Sequence, residues 1–257
     1  MKKKLLAAGL LIGLAAAAIV GGSYLRRMQA EQKALEEKRN QLQAYAELRR
    51  IGDVSALYDE NGSLTIPVDF AGLQEENPDI YAWITIPGVV DEPVLQHSED
   101  DRFYQSHDAE KKELATGAVF TESLNKKDFS DALTVIYGNN NEDGSLFSSL
   151  FHYQDRQFME EHPLIYIYTP QGVLTYQIFA AYQSDDRHLL MRFNQGTYEG
   201  NVRAFIKDIL SQRSMGAAVL RDTDIDTGDR FLTLSTHDPQ GEEYRYLVQA
   251  FLVEQAS

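Results

Sequence analysis

His237 closes an apolar, β-branched run, Phe231-Leu232-Thr233-Leu234-Ser235-Thr236, and Arg245 follows eight residues later. An imidazole can act as a general base toward a nearby hydroxyl or water. The hydroxyls nearest to His237 are Ser235 and Thr236. In an extended strand Ser235 points to the same face as His237, about 7 Å away along the chain, while Thr236 points to the opposite face. Neither is placed for a direct hydrogen bond. A second polar stretch, Tyr137-Gly138-Asn139-Asn140-Asn141-Glu142-Asp143-Gly144, ends another apolar run and has the composition of a strand-to-helix turn. Asn139 can donate and accept hydrogen bonds, yet a carboxamide neither gains nor loses a proton near neutral pH. His237 and Asp238 have no third ligand at motif spacing, so no metal is expected, and no cofactor either. The chain has no cysteine, which excludes a thiolate nucleophile, a thiolate metal site and an internal disulfide.

Other residues read as ordinary structure. Arg245 has bland partners at hand in Glu242, Glu243 and Asp238. His97, His107, His152, His162 and His188 fall in loop or helical surroundings and read as polar surface, and Trp83 reads as core.

Strands must carry these groups. The spans 81–86, 118–121, 133–137, 164–168, 173–182, 231–236 and 244–254 have the β-branched and aromatic bias of strands. Pro170-Gln171-Gly172 makes residues 164–182 a hairpin. A short helix is expected over residues 70–76, stopped by Asn77-Pro78, with further helical patterns over 146–161 and 198–212. The sum is a mostly antiparallel sheet or barrel with inserted helices.

At 257 residues and 43% hydrophobic, the chain can build one core of roughly 200 residues. Its formal charge is −15, and residues 1–27 hold five basic groups and no acid, so the remainder is more acidic still. Such a domain repels nucleic acid, which is not an expected partner. Residues 5–25 are uncharged and would span about 31 Å as a helix, one bilayer crossing. A cleaved secretory signal shares this look, but the run is longer than the roughly 7–15 residues usual there. Residues 26–52 form a helical stalk, with Met28, Leu35 and Leu42 seven apart. Glu31 and Lys38 at the intervening heptad positions argue for a monomer over a coiled-coil dimer. Three segments are therefore expected: 1–25, 26–52 and a domain over 53–257.

Four ordered segments resemble class B sortases, the cell-wall transpeptidases of Gram-positive bacteria. They are Asn77-Pro78-Asp79-Ile80-Tyr81-Ala82-Trp83 with Pro93-Val94-Leu95-Gln96, the Tyr137–Phe147 stretch, the helix before the penultimate strand, and Thr233-Leu234-Ser235-Thr236-His237 with Tyr244-Arg245-Tyr246. The resemblance implies a mainly β fold, a closed eight-stranded β-barrel with inserted helices, preceded by a transmembrane helix and a stalk. It also implies a cytoplasmic N-terminus, an extracellular domain, and a sorting-signal peptide, partner sortase or pilin as the binding partner.

The same resemblance puts Asn139 where the family carries its histidine and His237 where it carries its cysteine, with Arg245 retained. An acyl-imidazole hydrolyses easily, and losing a general base costs about 10²–10⁴-fold. The expectation is a non-catalytic homologue whose peptide-binding candidates are Ser235, Thr236 and Arg245. The alternatives are a cysteine-free peptidase using His237 with Ser235 or water, and a purely structural assembly platform.

Overall fold

The computed structural model describes residues 26–29, 33, 54–193, 198–241 and 243–257. The chain divides into two compact units, residues 1–47 and Leu48–Ser257. In the first, residues 26–29 and 33 are helical. The expected anchor at 5–25 and the rest of the stalk lie outside the described residues. Among those described, no helix is long and apolar enough to cross a membrane.

The second unit is built on β1 (Ile80–Ile86), β2 (Val90–Leu95), β3 (Val119–Phe120), β4 (Leu133–Tyr137), β5 (Leu164–Thr169), β6 (Gly172–Asp185), β7 (Ala218–Val219), β8 (Phe231–His237) and β9 (Tyr244–Ala256). Neighbours follow the order β5-β1-β2-β3-β4-β8-β9-β6, and β5 pairs back onto β6, so eight strands close a barrel. The two-residue β7 pairs with Ala180 and Ala181 of β6. β2–β3 and β4–β8 are parallel, and the other pairs are antiparallel. Closure removes the exposed edges that an open sheet would leave. It requires tight approach at Gly172, where an added Cβ would stand 2.1 Å from the Ala256 carbonyl oxygen. Register shifts between β6 and β9, at Thr175/Tyr176 and Ile178/Ala180, bend the long strand. The bend lets β6 serve β5 with one half and β7 with the other.

Both faces of the central strands are covered, which explains their nearly continuous apolar runs. Leu232 and Leu234 point into the barrel with Ile84, Ile136, Ile178 and Val248. Phe231, on the other face, packs with Val135, Phe179, Val202 and Ile209. Among the described residues four α-helices decorate the barrel: α1 (Phe70–Glu76), α2 (Arg156–Glu161), α3 (Leu189–Phe193) and α4 (Tyr198–Ser211). The carboxylate of Asp69 caps α1 by accepting from Gly72 N at 3.0 Å.

Two local expectations change. The helix expected over 146–161 is a 3-10 turn, Ser148–Gln154, followed by α2. Asp155 separates them, because it is extended (φ −88°, ψ 121°) and its carboxylate caps α2 by accepting from Gln157 N at 2.9 Å. A short polar side chain that bonds the backbone ahead of it starts a new helix more readily than it continues an old one. Trp83 is half-buried instead of core, and its Nε1 donates to Asp91 Oδ1 at 2.7 Å. The short α3 and β7 carry too few residues for a periodic signal.

Glu92 on β2 gives a pH prediction. Burial, with the neighbouring Asp91 carboxylate, pushes its pKa up to about 7 from 4.5. The folded state therefore binds more protons than the unfolded state between these values. Stability falls as pH rises from about 4.5 to about 7, and the whole cost is present above 7. Glu92→Gln is expected to stabilise the chain by about 2 kcal/mol at pH 8 and to change little at pH 4. Thermal melts at the two pH values measure this.

Candidate functional site: a groove across β4, β8 and β9

β4 and β8 run in register with Tyr137 opposite Ser235, and the N–H of Gly138 extends the pairing by donating to Ser235 O at 3.1 Å. β8 and β9 place His237 opposite Arg245 and Ser235 opposite Leu247. Directly opposed residues share a face, so Tyr137, Ser235, His237, Arg245 and Leu247 look the same way. Asn139 lies two residues beyond Tyr137, at the same end. All six line one groove of about 360 Å³, a volume suited to a few residues of an extended ligand. Arg102, Gln105, Phe120 and Glu122 also line it, and Asp185–Leu189 forms one wall.

The sequence-predicted residues take different places in it. His237 is exposed at the rim, and its carbonyl accepts from Asn140 Nδ2 at 3.5 Å. The Nη1 of Arg245 donates to the carbonyl of Tyr244 at 2.9 Å. Ser235 is 3% exposed on the groove floor. Thr236 stands opposite Tyr246, on the face away from His237, and both hydroxyls are buried without a hydrogen-bond partner.

Asn139 is committed to holding a loop. Its Nδ2 donates to the carbonyls of Gln105 and Thr116, both at 3.1 Å. A carboxamide suits this task, since one nitrogen offers two N–H groups in one plane. The geometry depends on two glycines. Gly117 sits at φ +65°, and a Cβ there would lie 2.6 Å from Tyr104 O and 2.7 Å from Gln105 O. At Gly138 a Cβ would meet the ring of Phe147 at 2.7 Å.

One cluster in the groove escaped sequence reasoning. His188, read as polar surface, lies with Nε2 3.0 Å from Glu122 Oε2. Burial raises the pKa of Glu122, an effect that the nearby imidazole partly offsets. Tyr137 bonds the same carboxylate, and burial together with that negative charge pushes its phenol well above the ordinary range. The signal that could have found it is slight: Glu122 follows an apolar run directly, where a turn acid is ordinarily solvated.

Among known proteins, no family model matches the chain. It is 29% identical over 215 residues to the sortase B of Listeria monocytogenes, spanning 79% of this chain and 83% of that one. The chain is a class B sortase homologue. The solved sortase B of Clostridium perfringens is 26% identical, with a TM-score of 0.61 over 72% of this chain and 99% of that structure. A Staphylococcus aureus sortase B–substrate complex shares the fold at 22% identity, with a TM-score of 0.64 over 88% of this chain and 99% of that one. Within this sortase-type barrel the three positions to which the resemblance assigns the chemistry, Asn139, His237 and Arg245, meet at one end of the groove. The homologue has no cysteine to place there.

Proposed function

We propose that this protein is a non-catalytic class B sortase homologue, held at the outer face of the membrane through residues 5–25, whose groove binds a sorting-signal-like peptide. The observation that carries the reading is the fate of Asn139: its amide is spent on the Gln105 and Thr116 carbonyls, at the position where the reaction needs a proton carrier. With no thiol in the chain, neither acyl transfer nor leaving-group protonation has its group. The groove itself is retained, and Arg245 supplies donors for a peptide carbonyl. A partner sortase or pilin at the cell surface would present such a segment.

The test is incubation of the full-length chain with a labelled sorting peptide, with and without a primary-amine acceptor. Saturable binding without product is expected, and Arg245→Ala should weaken that binding by about tenfold or more. Robust turnover that disappears in His237→Ala would overturn the reading. It would favour a second one, a cysteine-free hydrolase, for which one observation speaks: Ser235 and His237 share the groove face with Arg245.

A further inference from the structure

The wall made by Asp185–Leu189 belongs to the connection between β6 and α4, and α3 at its end packs on β4 and α4 through Leu189, Leu190 and Phe193. The N–H of Asp186 donates to Glu243 O at 3.0 Å, and Leu190 is buried in the outer core. Arg192 Nη1 stands 3.7 Å from Asp208 on α4. Those contacts hold the segment to β9, to α4 and, through α3, to β4. The contact between His188 and Glu122 goes elsewhere: Glu122 follows β3, so this contact joins the wall to the turn after that strand.

His188 does two jobs at once. Its Nδ1 accepts from Met191 N at 3.2 Å, and its carbonyl accepts from Arg192 N at 3.0 Å, so it starts α3. With Nδ1 accepting, the ring proton sits on Nε2, which faces Glu122 Oε2. That oxygen is buried, and the imidazole N–H at 3.0 Å is the polar group facing it from the wall. The other groups around the carboxylate are Tyr137, Asp101 and Arg102. Tyr137 on β4 lies against the carboxylate from the barrel side, and His188 meets it from the wall.

We propose that Glu122 and His188 form a clasp that fixes the 185–193 segment as one wall of the groove, making His188 a positioning residue that sets groove width. It deepens the peptide-binding reading, on which its biological consequence rests. Breaking the clasp lets the wall move away from β3 and exposes the groove floor.

The absence of cysteine makes a direct test possible, because Ser235→Cys puts a unique thiol on the floor, independent of any peptide. In full-length Ser235→Cys, labelling rates are compared for a small maleimide and a polymer-linked maleimide. Their ratio cancels changes in thiolate fraction. Adding Glu122→Gln, which keeps side-chain size and removes the buried charge, is expected to raise the bulky-to-small ratio roughly threefold or more. His188→Ala should do the same. An unchanged ratio in a folded Glu122→Gln background overturns the clasp. So does a rise confined to His188→Ala, since that assigns the wall to the α3 cap. If the ratio shifts as expected and no peptide binds the parent chain, the clasp stands and the peptide reading falls.

Discussion

The double variant His237→Cys with Asn139→His is expected to cleave a sorting peptide and transfer it to a primary amine, at least about 10²-fold faster than either single variant. The geometry favours this outcome because the remaining parts stand where the reaction would use them. β8 and β9 put position 237 opposite Arg245, and the in-register pairing of β4 with β8 brings position 139 to the same end. A thiol at 237 alone has no proton carrier, and an imidazole at 139 alone has no thiol to activate, so the gain must be strongly non-additive. The cost is predictable too. Asn139→His gives up amide bonds to Gln105 and Thr116, so the melting temperature should fall, by an amount corresponding to about 1–2 kcal/mol. Mass spectrometry of the amine adduct measures the reaction, and a thermal melt measures the cost. A folded double variant without adduct would show that the groove no longer holds a peptide carbonyl beside position 237.

Gly117→Ala should destabilise the domain by about 3 kcal/mol and abolish peptide binding in the same experiment. The residue lies at φ +65°, where a side chain is strained, and the new Cβ would meet two backbone oxygens, which cannot swing aside as a flexible side chain does. The N–H of the next residue, Ala118, donates to Tyr104 O at 2.9 Å, so moving the loop also opens that bond. The third neighbour of the added Cβ is Asn139 Nδ2 at 3.0 Å, which links the strain to the groove. Gly62→Ala is the matched control, because its φ of +76° is comparable and nothing stands within 4 Å of an added Cβ. The difference between the two variants isolates the steric contribution from the backbone one. Equal losses would mean that the loop yields to the Cβ and that the Asn139 contacts do not constrain it.

Much of the domain was legible in the residues. Phe231–Thr236, Leu133–Tyr137 and the 164–182 hairpin announce strands because β-branched and aromatic side chains suit a pleated sheet buried on both faces. The helix after Tyr198 announces itself through Val202, Phe205, Ile206 and Ile209, whose spacing makes one apolar stripe. The break at Asp155 was harder, because the apolar spacing runs through it and only the cap geometry marks the stop.

What the sequence determined alone is a matter of chemical inventory: a chain without cysteine has no thioester route, and a carboxamide at position 139 carries no proton, whatever the fold. Strand alternation also put Ser235 with His237 and Thr236 away from them, since side-chain direction along a strand is local. Only the tertiary structure decided how Asn139 is used, because its partners at Gln105 and Thr116 come from a distant loop. The same holds for His188, which helical surroundings could not distinguish from ordinary surface. Its partner Glu122 is 66 positions away, and the packing of α3 on β4, a non-local contact, brings the two to 3.0 Å.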